Sequence, residues 1–214
     1  MNIILLYGPP ASGKTTLAKG ISNNFDISYL SVGQITRREI ANKTDVGHRL
    51  KKYLDDVVEY PVEFIGDIVE KELDSLKKSG VNTVLLDGFP KYFWEAEKFL
   101  NILKKLNLTI NKIIIINLTY DDICKRASNR RICLKCLKEY NLSNTGSIIC
   151  PECGNELVLR EDDSAFVLKR RYGDHVFSLE KTLKVLDIDA NYLVEIDGSG
   201  DEDTVLHRFS KELV

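Results

Sequence analysis

The sequence has no long apolar run. Nothing in it approaches the roughly 18 consecutive apolar residues of a membrane-spanning helix. The stretch Ile3 to Tyr7 is too short for a secretory leader and has no basic segment before it. Internal repeats, low-complexity tracts and heptads are also missing. These absences set the expectation of a cytoplasmic, monomeric protein with no membrane partner. Charge of one sign is lacking too. Thirty Lys and Arg against 32 Asp and Glu leave a formal net charge of −2, with a pI near 6.0. No overall field therefore draws the chain to nucleic acid or lipid, and any positive site has to be assembled by local clustering.

What is present suits one α/β domain with small insertions: 214 residues, 43% apolar and 29% charged, enough to bury a sizeable core. Strand and helix patterns alternate. Met1–Tyr7 reads as a strand, Lys14 to about Ser22 as a helix, and Ile27–Leu30 as a second strand. Residues 33–79 read as helical pieces broken near Thr44-Asp45 and at Tyr60-Pro61, with Pro61 in a first helical turn and Gly80 as a stop. Val81–Leu86 is a strand, Phe93–Leu106 a helix, and Lys112–Leu118 a continuous apolar strand of the kind buried on both faces. Thr119–Asp122 reads as a capping box. A long charged helix from about Asp163 to Leu186, a strand at Tyr192–Ile196 and a last helix after Asp197-Gly198-Ser199-Gly200 complete the pattern. Alternation of this kind predicts a parallel sheet covered by helices on both sides.

Gly8-Pro9-Pro10-Ala11-Ser12-Gly13-Lys14-Thr15 carries the spacing G-x-x-x-x-G-K-[ST] between the first strand and the first helix. Glycines let the backbone close around phosphates, and the helix N-terminus adds free N–H donors. Gly8, Pro10, Ala11, Ser12, Gly13, Lys14, Thr15 and Thr16 are thus the expected ATP-binding set. In it, Lys14 would reach the β- and γ-phosphates and the Thr15 hydroxyl would meet Mg²⁺. Four of the five cysteines form a second motif, Cys133-x-x-Cys136 and Cys150-x-x-Cys153, separated by thirteen residues. Two such pairs fit one tetrahedral Zn²⁺ with a closed, structural shell. Cys124 falls in a helical pattern and reads as a small apolar residue rather than a fifth ligand.

With these motifs in place the chain resembles the adenylate kinases and their nucleoside-monophosphate kinase relatives, in the long form whose lid carries zinc. The resemblance rests on GPPASGKTT, on Leu30-Ser31-Val32-Gly33-Gln34 with Arg37, and on Leu86-Asp87-Gly88-Phe89-Pro90-Lys91. Asn129-Arg130-Arg131-Ile132-Cys133, Arg160-Glu161-Asp162-Asp163 and Asp197-Gly198 extend it over nearly the whole chain. It implies a P-loop nucleoside triphosphate hydrolase-type α/β fold with a five-stranded parallel sheet and a zinc-ribbon lid insert. The core would comprise 1–30, 65–126 and 162–214, with a monophosphate-binding insert at 31–64 and the lid at 127–161. The implied reaction is Mg²⁺-dependent, reversible phosphoryl transfer with lid closure, foremost ATP + AMP = 2 ADP.

Such a transfer gathers about six negative charges, so catalysis rests on positioning and charge stabilisation. By resemblance Arg126 packs on the donor base, and Arg130, Arg160 and Arg171 clamp phosphates with Lys14. Arg37 holds the monophosphate, whose site Val32, Tyr60, Gly88, Lys91 and Glu95 complete together with Arg160 and Arg171. Guanidinium forks suit phosphate better than ammonium groups do. Asp87, ending a strand beside the P-loop, is placed to orient water on Mg²⁺ with Thr15. Tyr140 would cover the donor ribose or pack in the ribbon. Asp162 and Asp163 read equally well as a cap on the following helix and, by resemblance, as the pair that holds the closed lid, and both roles can coexist.

Several residues depart from the family pattern. Lys91 stands where an arginine is usual, Glu95 where a glutamine reads the base, and Val32 where threonine or alanine is usual. Gln34 replaces an aspartate, and Thr15 a glycine. A carboxylate at 95 suits guanine's paired donors better than adenine's edge. Either the pocket takes another monophosphate (GMP, UMP, CMP or a deoxynucleotide), or Glu95 points away and backbone carbonyls near Tyr60 select the base. From a different class, a nucleotide-gated binding protein could dock RNA or protein on a ribbon carrying Arg130, Arg131, Lys135 and Lys138. Glu139, Glu152 and Glu156 dilute that charge, and no nucleic-acid partner is expected.

Overall fold

The computed structural model describes residues 1–55 and 60–213; residues 56–59, within the expected 31–64 insert, lie outside the described residues. In chain order the elements are β1 (Asn2–Tyr7), α1 (Lys14–Asn24), β2 (Ser28–Ser31), α2 (Val32–Ala41), α3 (Asp45–Asp55), α4 (Val62–Lys78), β3 (Thr83–Asp87) and α5 (Phe93–Leu106). They continue with β4 (Thr109–Asn117), α6 (Tyr120–Asn129), β5 (Arg130–Cys133), β6 (Glu139–Asn141), α7 (Leu142–Thr145), β7 (Leu157–Val158), α8 (Ala165–Leu186), β8 (Leu193–Asp197) and α9 (Glu202–Lys211). Among the described residues no helix is long and apolar enough to cross a membrane.

Five parallel strands form one sheet in the order β2-β3-β1-β4-β8. Strand β1 lies at its centre, and its residues alternate between two cores as a period of two requires. Ile3, Leu5 and Tyr7 join Leu86, Phe99, Ile113 and Leu186 under α2, α4, α5 and α8. Ile4 and Leu6 join Leu17, Ile21, Ile114, Ile116 and Phe209 under α1 and α9. The same alternation runs through β4, which is why both strands read as apolar at successive positions: both faces are covered. The carboxyl ends of β1, β3, β4 and β8 leave from one edge, and the turns there gather the candidate residues, as open parallel sheets do.

A second, antiparallel sheet, β6-β5-β7, lies between α6 and α8 in the chain. Its small core is Cys133, Cys150 and Leu157, with Cys136, Tyr140 and Cys153 against it.

The structure moves some boundaries. Strand β4 starts at Thr109, because Asn2 and Ile3 pair with Thr109 and Ile110 ahead of a register shift; Thr109 and Asn111 hid that start. Pro61 (φ −56°, ψ 132°) precedes α4 rather than joining its first turn. The capping reading of Asp162 and Asp163 is corrected as well. Both lie in a 3-10 turn, Ser164 occupies the N-cap of α8, and the two carboxylates face guanidinium groups instead.

Candidate active site

The loop from β1 to α1 places Ala11 at φ +57° and Gly13 at φ +91°. Left-handed backbone at a residue with a Cβ costs of order 1–3 kcal/mol; here it bends the chain into the kind of turn that presents successive N–H groups to an anion. Lys14 Nζ folds across this loop, donating to Gly8 O (2.7 Å) and Pro9 O (2.9 Å) and lying 3.4 Å from Ser12 Oγ. Burial lowers its pKa to about 8. Asp87 opposes that shift, while Arg171, Arg130 and Arg160 reinforce it. Three guanidiniums more than a hundred positions away along the chain thus act on the P-loop lysine.

Asp87 ends β3, next to β1, with its carboxylate largely buried. Its Oδ2 accepts the Tyr29 hydroxyl at 2.8 Å and lies 3.4 Å from Ser31 Oγ, and the same Tyr29 oxygen is 3.4 Å from Thr15 Oγ1. Burial and the Asp87 charge raise the Tyr29 pKa, so it stays a neutral donor. The half-buried Thr15, not the exposed Thr16, is the hydroxyl joined to Asp87.

Arg37, Arg160 and Arg171 are joined through Glu139 and Asp162, and Arg130 pairs separately with Asp163. Arg130, on β5, holds Asp163 in a two-pronged pair, Nε to Oδ2 at 2.7 Å and a second contact between NH2 and Oδ1. Arg160 forks onto Asp162 (2.8 and 2.5 Å) and reaches Glu139 Oε1 at 2.8 Å. Arg171, on α8, donates to Asp162 Oδ2 at 2.7 Å. Arg37, on α2, donates to the same Glu139 Oε1 at 3.0 Å. Burial raises Asp162 in part, but Arg171 and Arg160 overcome it and hold the carboxyl well below the usual range. Arg126, on α6, donates to Ser12 O (3.1 Å), Gly198 O (2.7 Å) and Gly200 O (3.2 Å), tying α6 to the P-loop and to the turn after β8. Gly198 has to be glycine there: a Cβ would stand 2.7 Å from Ile116 Cγ2 and 2.9 Å from Asn117 O.

On the other side of the edge, Val32 opens α2 and faces Gly88 (φ +93°), whose Cβ would meet Val32 Cβ at 3.5 Å. Lys91 Nζ bonds the Tyr92 hydroxyl and lies 4.3 Å over its ring. Glu95 is buried, with Oε2 accepting the N–H groups of Lys91 (2.5 Å) and Tyr92 (3.0 Å). Tyr60 packs edge-on against Tyr53, centroids 6.0 Å apart.

In the small sheet the four cysteine sulfurs lie within 4.8 Å of one another, with Cys133–Cys153 at 3.4 Å and Cys136–Cys150 at 3.6 Å. Tetrahedral zinc with bonds of about 2.3 Å needs sulfurs roughly 3.8 Å apart, so the set fits that ion. Burial would raise the Cys150 thiol, yet the Tyr140 hydroxyl and the backbone at Glu152 and Cys153 bring it down to about 6, favouring thiolate. The Tyr140 oxygen is 3.4 Å from Cys150 Sγ, turned to the cysteines. Cys124 lies apart from them, half-buried beside Ile123, Ala127 and Leu168.

Comparison with known proteins follows the same lines. A family model described as adenylate kinase matches residues 6–211. Curated adenylate kinases align over nearly their full length. That of Kosmotoga olearia is 34% identical, covering 100% of this chain and 99% of its own. Those of Thermosipho melanesiensis (36%; 96% of each chain) and Alkaliphilus oremlandii (38%; 91% of this chain and 90% of its own) are similar. The chain belongs to the adenylate kinase family. It is accordingly a nucleoside-monophosphate kinase, a phosphotransferase with nucleotide substrates.

Against that family background, three residues escaped the sequence reading. Tyr29 joins Thr15 to Asp87, and only its strand period, which turns it to the face of β2 shared with α1, could have hinted at this. Glu139 read as a surface charge diluting the ribbon, but it bridges two arginines. His175, on α8, is held down to about 4 by burial and by the charges of Lys14 and Lys91, so an uncharged imidazole stands behind the adenylate kinase P-loop.

Proposed function

We propose that the chain is an adenylate kinase that transfers the terminal phosphoryl group of Mg²⁺-ATP to AMP. The observation that carries this reading is the convergence on Lys14. A lysine in the loop after β1 lies in the combined field of Arg130, Arg160 and Arg171, contributed by three other segments. Such a cluster of cations suits a triphosphate meeting a monophosphate end to end. An oxygen of the acceptor phosphate forms a bond to the γ-phosphorus as the bond to the β-γ bridging oxygen breaks and ADP departs. The attacking oxygen is already ionised, so no base is required, and the work is alignment and stabilisation of equatorial charge.

In this reading Lys14 and the turn Gly8, Pro10, Ala11, Ser12, Gly13 hold the donor's β- and γ-phosphates, and Arg126 lies on the donor side, while Tyr140 packs among the cysteines of the ribbon. Arg130, Arg160 and Arg171 hold the transferring group. Arg37, Val32, Tyr60, Gly88 and Lys91 border the acceptor, whose phosphate Arg160 and Arg171 also contact from the side of the transferring group. Thr15 and Asp87 offer oxygens of the kind Mg²⁺ takes, linked through Tyr29; they would hold the ion, which when bound neutralises phosphate charge. Cys133, Cys136, Cys150 and Cys153 would hold Zn²⁺, whose part is structural. It would stiffen residues 127–161 as a lid, opposite the insert at 31–64 and on the core of 1–30, 65–126 and 162–214. Residues from one chain supply the whole set, which supports a monomer; its substrates are small nucleotides, and the cytoplasm is its proposed location.

Glu95 bears on the acceptor. Its carboxylate is engaged by the backbone at the start of α5, which favours AMP over a guanine acceptor read by that group. Steady-state kcat/KM for AMP, GMP, CMP and UMP with Mg²⁺-ATP tests the assignment. AMP is expected to lead, and a preference of about tenfold or more for another acceptor, or ATP use indifferent to every monophosphate, overturns it.

A further inference from the structure

Strand β6 alternates: Tyr140 turns to the cysteines and Glu139, one residue earlier, to the opposite face. There Glu139 meets two guanidiniums with a single oxygen, Arg37 at 3.0 Å and Arg160 at 2.8 Å. All three side chains are mostly buried, with 14% of Glu139, 25% of Arg37 and 8% of Arg160 exposed. The two cations repel one another across this gap, and the carboxylate offsets that repulsion. One anionic oxygen between two guanidiniums is also the arrangement a phosphate oxygen takes. The pair spans residues 102 apart and joins α2 to the small sheet. The neighbouring acids, Asp162 and Asp163, lie in the 3-10 turn before α8 and hydrogen-bond Arg160, Arg171 and Arg130, but not Arg37.

We propose that Glu139 sets the affinity for the acceptor: its carboxylate competes with the acceptor's phosphate for Arg37 and Arg160, and a nucleoside monophosphate binds by displacing it. The inference rests on the acceptor role given above to those two arginines. A phosphate dianion outbids a single carboxylate, yet part of its binding energy goes into breaking the bridge. Glu139 is thus a specificity-determining residue that penalises weakly charged acceptors, and it disfavours occupancy by ligands that lack a full dianion.

Glu139→Gln and Glu139→Thr test this, the second because threonine suits a strand should the first fold poorly. The dissociation constant of AMP, measured by calorimetry without donor, and KM for AMP are both expected to fall at least about threefold. KM for ATP should change less than about twofold. Glu139→Asp, with its charge kept and its reach shortened, should fall between. Unchanged or weaker AMP binding in the neutral variants, in protein whose melting is cooperative, overturns the proposal. If the wild-type protein forms no ADP from AMP, the functional assignment fails; if it does and the variants bind AMP no more tightly, only the role of Glu139 fails.

Discussion

The Glu95 carboxylate accepts the Tyr92 N–H at 3.0 Å, folding back over the first turn of α5. It shares that oxygen with the Lys91 N–H. A side chain at the third helical position commonly serves the free donors of its own helix start in this way. Glu95→Gln keeps an acceptor in place and should change stability by less than about 1 kcal/mol. The ratio of kcat/KM for AMP to that for GMP should stay within about twofold. Glu95→Ala leaves the donors unserved and should cost about 1–3 kcal/mol by denaturant unfolding. A large swing in base preference with glutamine would show that Glu95 reads the acceptor after all.

Arg130 and Asp163 make a pair whose acid has 0% side-chain exposure. Removing the cation strands a buried charge, so Arg130→Ala should lower stability by about 3–5 kcal/mol and kcat by roughly 10²–10³. Adding Asp163→Asn should recover most of the melting temperature and none of the rate. Recovery of both would mean that Arg130 only holds the fold.

Lys14 supplies a pH test. With its pKa lowered to about 8, the free enzyme loses the ammonium as pH rises through that value. Then kcat/KM for ATP should fall on the alkaline side, approaching tenfold per pH unit. Bound phosphates favour the charged form, so kcat at saturating ATP should hold to higher pH. Stability moves the other way: between about 8 and the unfolded value of about 10.4 the unfolded chain carries more protons, and this residue's contribution to stability rises with pH. Arg130→Gln should shift the kcat/KM midpoint upward. A flat alkaline limb would contradict the lowered pKa that burial gives Lys14, and a midpoint unmoved by Arg130→Gln would contradict the field assigned to the three arginines.

The cysteine cluster predicts a metal-dependent melt. A strong chelator, or Cys133→Ser with Cys153→Ser, should lower stability by roughly several kcal/mol and release about one zinc per chain by elemental analysis. The four cysteines give the small sheet most of its core. Equal melting curves with and without chelator would show that the ribbon stands without the ion.

The sequence made some of this legible and hid the rest for physical reasons. β1 and the β4 stretch from Lys112 were readable because burial on both faces writes an unbroken apolar run. The P-loop and the cysteine pairs were readable because local spacing determines local geometry. Side-chain partners across the fold were not. Asp162 and Asp163 are adjacent, yet one serves Arg160 and Arg171 and the other Arg130, a choice made by the 3-10 turn and not by composition. The bond from Glu95 to its own helix start was not legible because that helix begins with Tyr92, where a serine or threonine would have announced the cap. Glu139 misled because a hairpin acid usually faces solvent, and only the pairing of β6 with β5 turns it inward.

Arg126 binds carbonyls of Ser12, Gly198 and Gly200, one in the loop after β1 and two in the turn after β8, well over a hundred residues apart in the chain. A ribosome delivers these segments in order, amino end first. The lysine loop is therefore made early, but the clasp that secures it closes only after Gly200 has emerged. A nascent chain stalled before that point would hold every phosphate-facing cation and still lack the stitch that fixes their setting.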